Sequence, residues 1–207
     1  MEILTEKEAE EFLENKGFPV AKRIFAFTYE ECIKAAKKMG FPLVLKIVSK
    51  KILHKSDVHG VKLNIKNKEE LKKAFDELRK IKYFEGVMVQ EHLDGKYIIT
   101  GLKKDSTFGH VIVFGLGGIF TEIIKDVAFR VCPITKKDAI EMIKETKAHK
   151  ILEGTRGEKP INFYALLRVL LALSELSEKY KNIQELDINP LIVNEKNCKI
   201  IDARIVF

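Results

Sequence analysis

The sequence predicts an α+β protein of two lobes, with helices laid against mixed or antiparallel sheets. Three observations carry that prediction. Helical and strand-like segments are interleaved without the strict strand–helix–strand alternation of a doubly wound sheet. The helical runs open on capping residues, and the strand-like runs are rich in β-branched and aromatic side chains. A turn at Asp94-Gly95, inside residues 92–96, marks where one lobe gives way to the next.

Taken in order, Thr5-Glu6-Lys7-Glu8 has the spacing of a capping box and opens a run with Ala9, Phe12 and Leu13 on one face. Thr28-Tyr29-Glu30-Glu31 repeats the device before Cys32, Ile33, Ala36 and Met39, and that run stops at Gly40. Strands are expected at residues 43–48 and 61–65. Asn67 then caps a helix bearing Leu71, Phe75, Leu78 and Ile81. Residues 87–90, 97–102 and 110–114 read as strands. Thr135 begins a helix with Ile140 and Ile143. Asn162 begins the longest one, whose Leu166, Leu170, Leu173 and Leu176 form a core stripe. Residues 183–193 and 198–206 close the chain as strands.

Composition narrows the class. The 207 residues are 46% apolar and 32% charged, which is globular. No apolar run is long enough to cross a bilayer, and the acidic, helical start MEILTEKEAEEF is unlike a secretory leader, so a cytoplasmic location without membrane attachment is expected. Cys32, Cys132 and Cys198 lie apart with no CxxC spacing, which argues against a disulfide framework or a structural zinc site. The net charge of +7 favours anionic partners. The excess reads as spread along the chain, which favours phosphorylated small molecules over nucleic acid.

The C-terminus has implied geometry. If residues 183–193 and 198–206 form a hairpin closing on Glu195-Lys196, position sums put Asn189 opposite Asp202 and Asp187 opposite Arg204. Asp187 and Asn189 share a face by the period of two. Two carboxylates, an amide oxygen and a guanidinium then converge, a donor set suited to a hard cation beside phosphates. The competing reading is a polar strand face with a surface ion pair. Glu-Lys is not a favoured two-residue turn, and a three-residue loop would slip the register.

Lys46 interrupts the apolar strand LVLKIV, where a buried ammonium needs an anion. Either it reaches a phosphate or it snorkels to a strand edge. The loop after it, LHKSDVHGV, offers hydroxyl, lysine and glycine between two strands. Further on, Gly115, Gly117 and Gly118 permit close backbone approach to an anion. Neither GxxxxGK[ST] nor GxGxxG is present, so neither a P-loop nor a Rossmann site is indicated.

Four stretches resemble the β subunit of ADP-forming acetyl-CoA and acyl-CoA synthetases, relatives of succinyl-CoA synthetase β. They are FPLVLKIVSKKILHKSDVHGV, FGHVIVFGLGGIFTEIIKDVAFRVCPI, ILEGTRG and IQELDINPLIV…IIDARI, and the likeness covers residues 12–205. The resemblance implies an ATP-grasp fold, with an N-terminal helix over residues 1–16 packing on the second lobe, one subdomain over 17–92 and a second over 93–207. It implies binding of ATP or ADP with Mg²⁺. Lys46 would contact phosphates, and Gln90 and Glu91 would face adenine. Gly117 and Gly118 would shape a loop toward the phosphoryl donor, and Asn189 and Asp202 would hold the metal with Asp187 nearby. His54 would be the catalytic phosphoryl relay. A CoA-binding α subunit would complete a hetero-oligomer. Two positions depart from the family: His59 stands where glycine is usual, and Tyr97 where a ribose-binding glutamate is usual. They motivate an alternative, a nucleotide-binding module that has lost phosphoryl transfer.

Overall fold

The computed structural model of the chain describes residues 2–49, 51–52, 55–117, 126–154 and 157–207. The chain divides into a larger unit, residues 1–20 and 94–207, and a smaller one, residues 21–93.

The smaller unit is a four-stranded antiparallel sheet in the order β1-β4-β2-β3, formed by β1 (Arg23–Ala26), β2 (Leu43–Val48), β3 (Val61–Ile65) and β4 (Gly86–Glu91). Helices α2 (Tyr29–Met39) and α3 (Lys68–Arg79) pack on it. Their starts are set by the capping residues read from sequence. The Thr28 hydroxyl accepts the Glu31 N–H while the Glu31 carboxylate reaches back, and the Asn67 amide oxygen accepts the Glu70 N–H. Leu43, Leu45 and Ile47 face Cys32, Ala35, Leu71, Phe75 and Leu78 in a closed apolar core.

The larger unit holds a six-stranded antiparallel sheet, β10-β8-β5-β6-β7 with β9 also on β8. Its strands are β5 (Lys96–Asp105), β6 (Gly109–Leu116), β7 (Val127–Val131), β8 (Glu185–Val193), β9 (Cys198–Ile200) and β10 (Ala203–Val206). Helices α1 (Glu6–Asn15), α4 (Lys136–Glu145), α5 (Ala148–Leu152) and α6 (Phe163–Lys179) accompany it. The leucine stripe of α6 is core: Leu166, Leu170 and Leu173 are fully buried against Ile98, Phe114 and Ile188. Ala9 and Leu13 place α1 in the same core, and Phe12 packs edge-on to Tyr180 and Phe207. Among the described residues no helix is long and apolar enough to cross a membrane.

Two strands and one helix escape the sequence pattern. β1 is four residues long, β7 follows a glycine-rich stretch, and α5 is a single turn and a half, so none shows a readable period. The strand expected over residues 198–206 is broken at Ile201-Asp202. Opposite the break stands Pro190, which has no N–H to give to the ladder, although its carbonyl accepts the Ile201 N–H at 3.0 Å.

The charge is distributed differently from the sequence expectation. The smaller unit has seventeen Lys and Arg against nine Asp and Glu, whereas the larger has twenty against twenty-one. The whole excess sits on the smaller unit. A one-dimensional reading misses this because a short N-terminal segment rich in glutamate belongs to the larger unit.

Candidate functional site

In the larger unit the register places the polar residues as the position sums require. Ile188 pairs with Ala203 and Asp187 with Arg204, Leu191 pairs with Ile200, and between them the Asn189 N–H donates to the Asp202 carbonyl at 3.2 Å. The two-residue loop Glu195-Lys196 closes the hairpin, with the Asn194 N–H on the Asn197 carbonyl at 2.9 Å. Neither loop residue has positive φ. The Asn194 side-chain oxygen instead accepts the N–H groups of Lys196 and Asn197, a local turn that makes an unfavoured pair acceptable. Leu186, Ile188, Ala203 and Ile205 point into the core, which leaves Asp187, Asn189, Asp202 and Arg204 together on the other face.

Asn189 and Arg204 are exposed and Asp202 is half-buried, as is Asp187. Burial is the main cause that pushes the Asp187 carboxyl above the usual aspartate value. The Glu185 carboxylate adds to the rise, and the Arg204 guanidinium opposes it. A cation bound beside it would favour the ionised form. The donor set is all oxygen, which fits Mg²⁺, an ion that takes one or two carboxylates and completes its shell with phosphate and water.

A residue passed over in the sequence holds Asp187 in place. Gly101 of β5 pairs with Asp187, and the β5–β8 register shifts between Ile98 and Thr100. A Cβ on Gly101 would lie 2.0 Å from the Leu186 carbonyl oxygen, so only glycine fits. The signal was available, since an isolated glycine inside a strand pattern marks a bulge or a close backbone approach. Gly117 extends the same sheet: its N–H donates to the Tyr97 carbonyl at 2.8 Å. Tyr97 is 44% exposed. Gly118 lies outside the described residues.

In the smaller unit Lys46 pairs with Met88 and Val44 with Gln90, so Lys46 and Gln90 share the face opposite Leu43, Leu45 and Ile47. Both are buried. The snorkelling reading of Lys46 does not hold, because β2 is an interior strand between β4 and β3. Glu91 is on the other face. Its carboxylate accepts the Lys22 N–H at 2.7 Å, and its own N–H donates to the Lys22 carbonyl at 3.0 Å. The loop after β2 returns beside Lys46, with Val61 as its cross-strand partner. Gly60 secures the return: its N–H meets the Lys55 carbonyl and its carbonyl takes the Ile47 N–H, both at 2.7 Å. His59 adopts φ 52 and ψ 32, a left-handed conformation that favours glycine. His54 lies outside the described residues.

Burial pushes the Cys32 and Cys198 thiols up to about 12, far from reactive thiolates.

Comparison with known proteins gives the lineage. An ATP-grasp domain matches residues 1–207. The β subunit of acetate–CoA ligase [ADP-forming] I from Pyrococcus furiosus is 45% identical over 211 residues, 98% of this chain and 91% of that protein. Acetyl-coenzyme A synthetase 1 (dinucleotide forming) of Ca. Korarchaeum cryptofilum, in complex with coenzyme A, Ca-AMPCP and HgCl+, superposes with a TM-score of 0.92 at 41% identity, over 99% of this chain and 93% of that one. The same synthetase with coenzyme A and Mg-AMPPCP, its phosphohistidine segment pointing towards the nucleotide binding site, gives 0.87 at 41% identity over 99% and 92%. The chain belongs to the ATP-grasp family and, within it, to the β subunits of ADP-forming acetate–CoA ligases.

Proposed function

We propose that this chain is the nucleotide-binding subunit of an ADP-forming acyl-CoA synthetase. With a separate CoA-binding subunit it would interconvert acyl-CoA, ADP and phosphate with the free acid, CoA and ATP, in the cytoplasm. The observation that carries the reading is the Asp187, Asn189 and Asp202 oxygen patch, built on the outer face of β8 and of the break between β9 and β10. Asn189 and Asp202 would hold Mg²⁺, with Asp187 as a further anionic neighbour. When bound, the ion would spread charge on the nucleotide phosphates. Lys46, in the smaller unit, would supply a positive charge to a nucleotide phosphate from a buried strand position, where its field is little screened by water. Gln90 would meet the base through its side chain. Glu91, with its carboxylate on the Lys22 N–H, would position the strand end that does so. Gly117 would let the following loop, with Gly118, approach the phosphoryl donor. His54 is the candidate relay: its imidazole takes the phosphoryl group from the partner's phosphohistidine, and a terminal phosphate oxygen of ADP then takes it from His54.

The test is ATP formation. Chain, CoA-binding subunit, ADP, phosphate and acyl-CoA should yield ATP, and His54→Ala should abolish turnover while nucleotide affinity stays within about twofold. Turnover unchanged in that variant removes the relay role.

A second reading is favoured by Tyr97 and His59. An exposed tyrosine stands where the family usually has a ribose-binding acid, and a non-glycine residue occupies a left-handed position beside the relay loop. A nucleotide-binding module without phosphoryl transfer would bind ADP and the partner yet form no ATP in the same assay.

A further inference from the structure

The smaller unit carries the entire positive excess of the chain, and at one end of its sheet two lysines distant in sequence converge on one aromatic ring. Val48, at the end of β2, pairs with Gly86, at the start of β4, and the Glu85 N–H donates to the Val48 carbonyl at 3.0 Å. That pairing brings the segment after β2 beside the segment before β4. The Lys51 ammonium lies 4.7 Å from the Tyr83 ring centroid and the Lys82 ammonium 4.9 Å from it. Two like charges therefore sit at most about 10 Å apart, within one Debye length at ordinary ionic strength. Neither ammonium has a carboxylate within ion-pair distance among the described residues. Both side chains are exposed, and Tyr83 itself is 46% exposed with φ 67, a left-handed backbone that a tyrosine rarely adopts.

We propose that Lys51, Tyr83 and Lys82 form a docking platform for an acidic segment of a protein partner. The identity of that partner, the CoA-binding subunit, rests on the function proposed above; the chemistry of the segment rests on these three residues. Charge complementarity selects it. Two ammonium groups held together repel one another, and carboxylates from one peptide relieve both at once. The phenol adds apolar surface that a peptide side chain would cover and a free phosphate would not. A single-stranded nucleic acid is disfavoured for a specific reason: it needs an open aromatic face for base stacking, and here lysine ammonium groups already lie over the ring. Lys80, also exposed, and the general excess of the unit would steer the segment in over a longer range.

The test uses the full chain and a fluorescein-labelled octaglutamate peptide, with binding read by anisotropy at low ionic strength. Saturable binding is expected, roughly tenfold weaker in the Lys51→Glu, Lys82→Glu double variant and lost at high salt. Tyr83→Gly suits the left-handed backbone, so it folds while removing the ring, and it should also weaken the peptide. Oligothymidylate and inorganic phosphate should not displace octaglutamate at equal ionic strength. Unaltered peptide affinity in both variants overturns the proposal, as does displacement by oligothymidylate or phosphate. ADP binding, measured in the same preparations, separates the two readings. A chain that binds octaglutamate through these lysines but no nucleotide leaves the platform standing and sinks the synthetase assignment.

Discussion

Asn189 and Asp202 are joined by a backbone hydrogen bond, the Asn189 N–H on the Asp202 carbonyl at 3.2 Å, so the two side chains share one sheet face. The donors proposed for the metal are thus set by backbone pairing between β8 and the break that parts β9 from β10, a rigid arrangement for an ion that demands defined geometry. The neighbouring pair, Asp187 and Arg204, continues that register.

The raised pKa of Asp187 gives the site a pH dependence. Magnesium–ADP binding should require the carboxylate, so affinity should fall as pH drops through the raised range above the ordinary value of 3.8. Calorimetry in two buffers of different ionisation heat should show proton release on binding. Asp187→Asn should remove that release. Stability follows the opposite sign. The folded form holds this proton more tightly than the unfolded one, so the contribution is present at low pH and lost as pH rises through the folded value. Urea unfolding of Asp187→Asn at several pH values should lack that slope.

Gly101→Ala should be among the most damaging small substitutions in the larger unit. Its added methyl would meet the Leu186 carbonyl oxygen at 2.0 Å, so the β5–β8 pairing must open. A loss of about 3 kcal/mol or more is expected in denaturant unfolding, accompanied by weaker metal–nucleotide binding because Asp187 is the paired residue.

Lys46→Met should weaken both folding and binding. Methionine fills the buried strand position but gives up the interaction that Lys46 makes there, so stability should fall by about 1–3 kcal/mol in denaturant unfolding. Nucleotide affinity should drop at least roughly tenfold, the worth of one charge-assisted contact to phosphate. Equal affinity by titration calorimetry would show that Lys46 serves only the fold.

His59→Gly and Gly60→Ala should act in opposite directions. Glycine at 59 relieves a left-handed backbone and should stabilise by about 0.5–1 kcal/mol. A methyl at 60 would lie 2.5 Å from Ile47 Cγ2 and 2.9 Å from the Lys55 carbonyl oxygen, so thermal unfolding should move down by several degrees.

Tyr97→Glu should restore the acid usual in the family at an exposed position on β5. ADP should bind at least roughly tenfold more tightly, the lower end of the range for one hydrogen bond to a charged acceptor, while guanidine unfolding stays nearly unchanged. No gain would argue that the ribose is not held there.

Where a residue's neighbours along the chain suffice to satisfy it, the sequence alone determined the outcome. Thr5, Thr28, Asn67, Thr135 and Asn162 each cap the helix they announce, because the N–H groups they accept lie three residues away. The Asn189–Asp202 register was legible for the same reason: a two-residue hairpin turns position sums into geometry. Tertiary structure alone decided the rest. Gly101 is required by a carbonyl eighty-five positions away, the positive charge gathers on one unit because a glutamate-rich start folds with the other, and Lys51 reaches Lys82 only through the β2–β4 pairing. These contacts depend on which strands become neighbours, and strand neighbours are chosen by burial of a whole core, a quantity that no local window of residues contains.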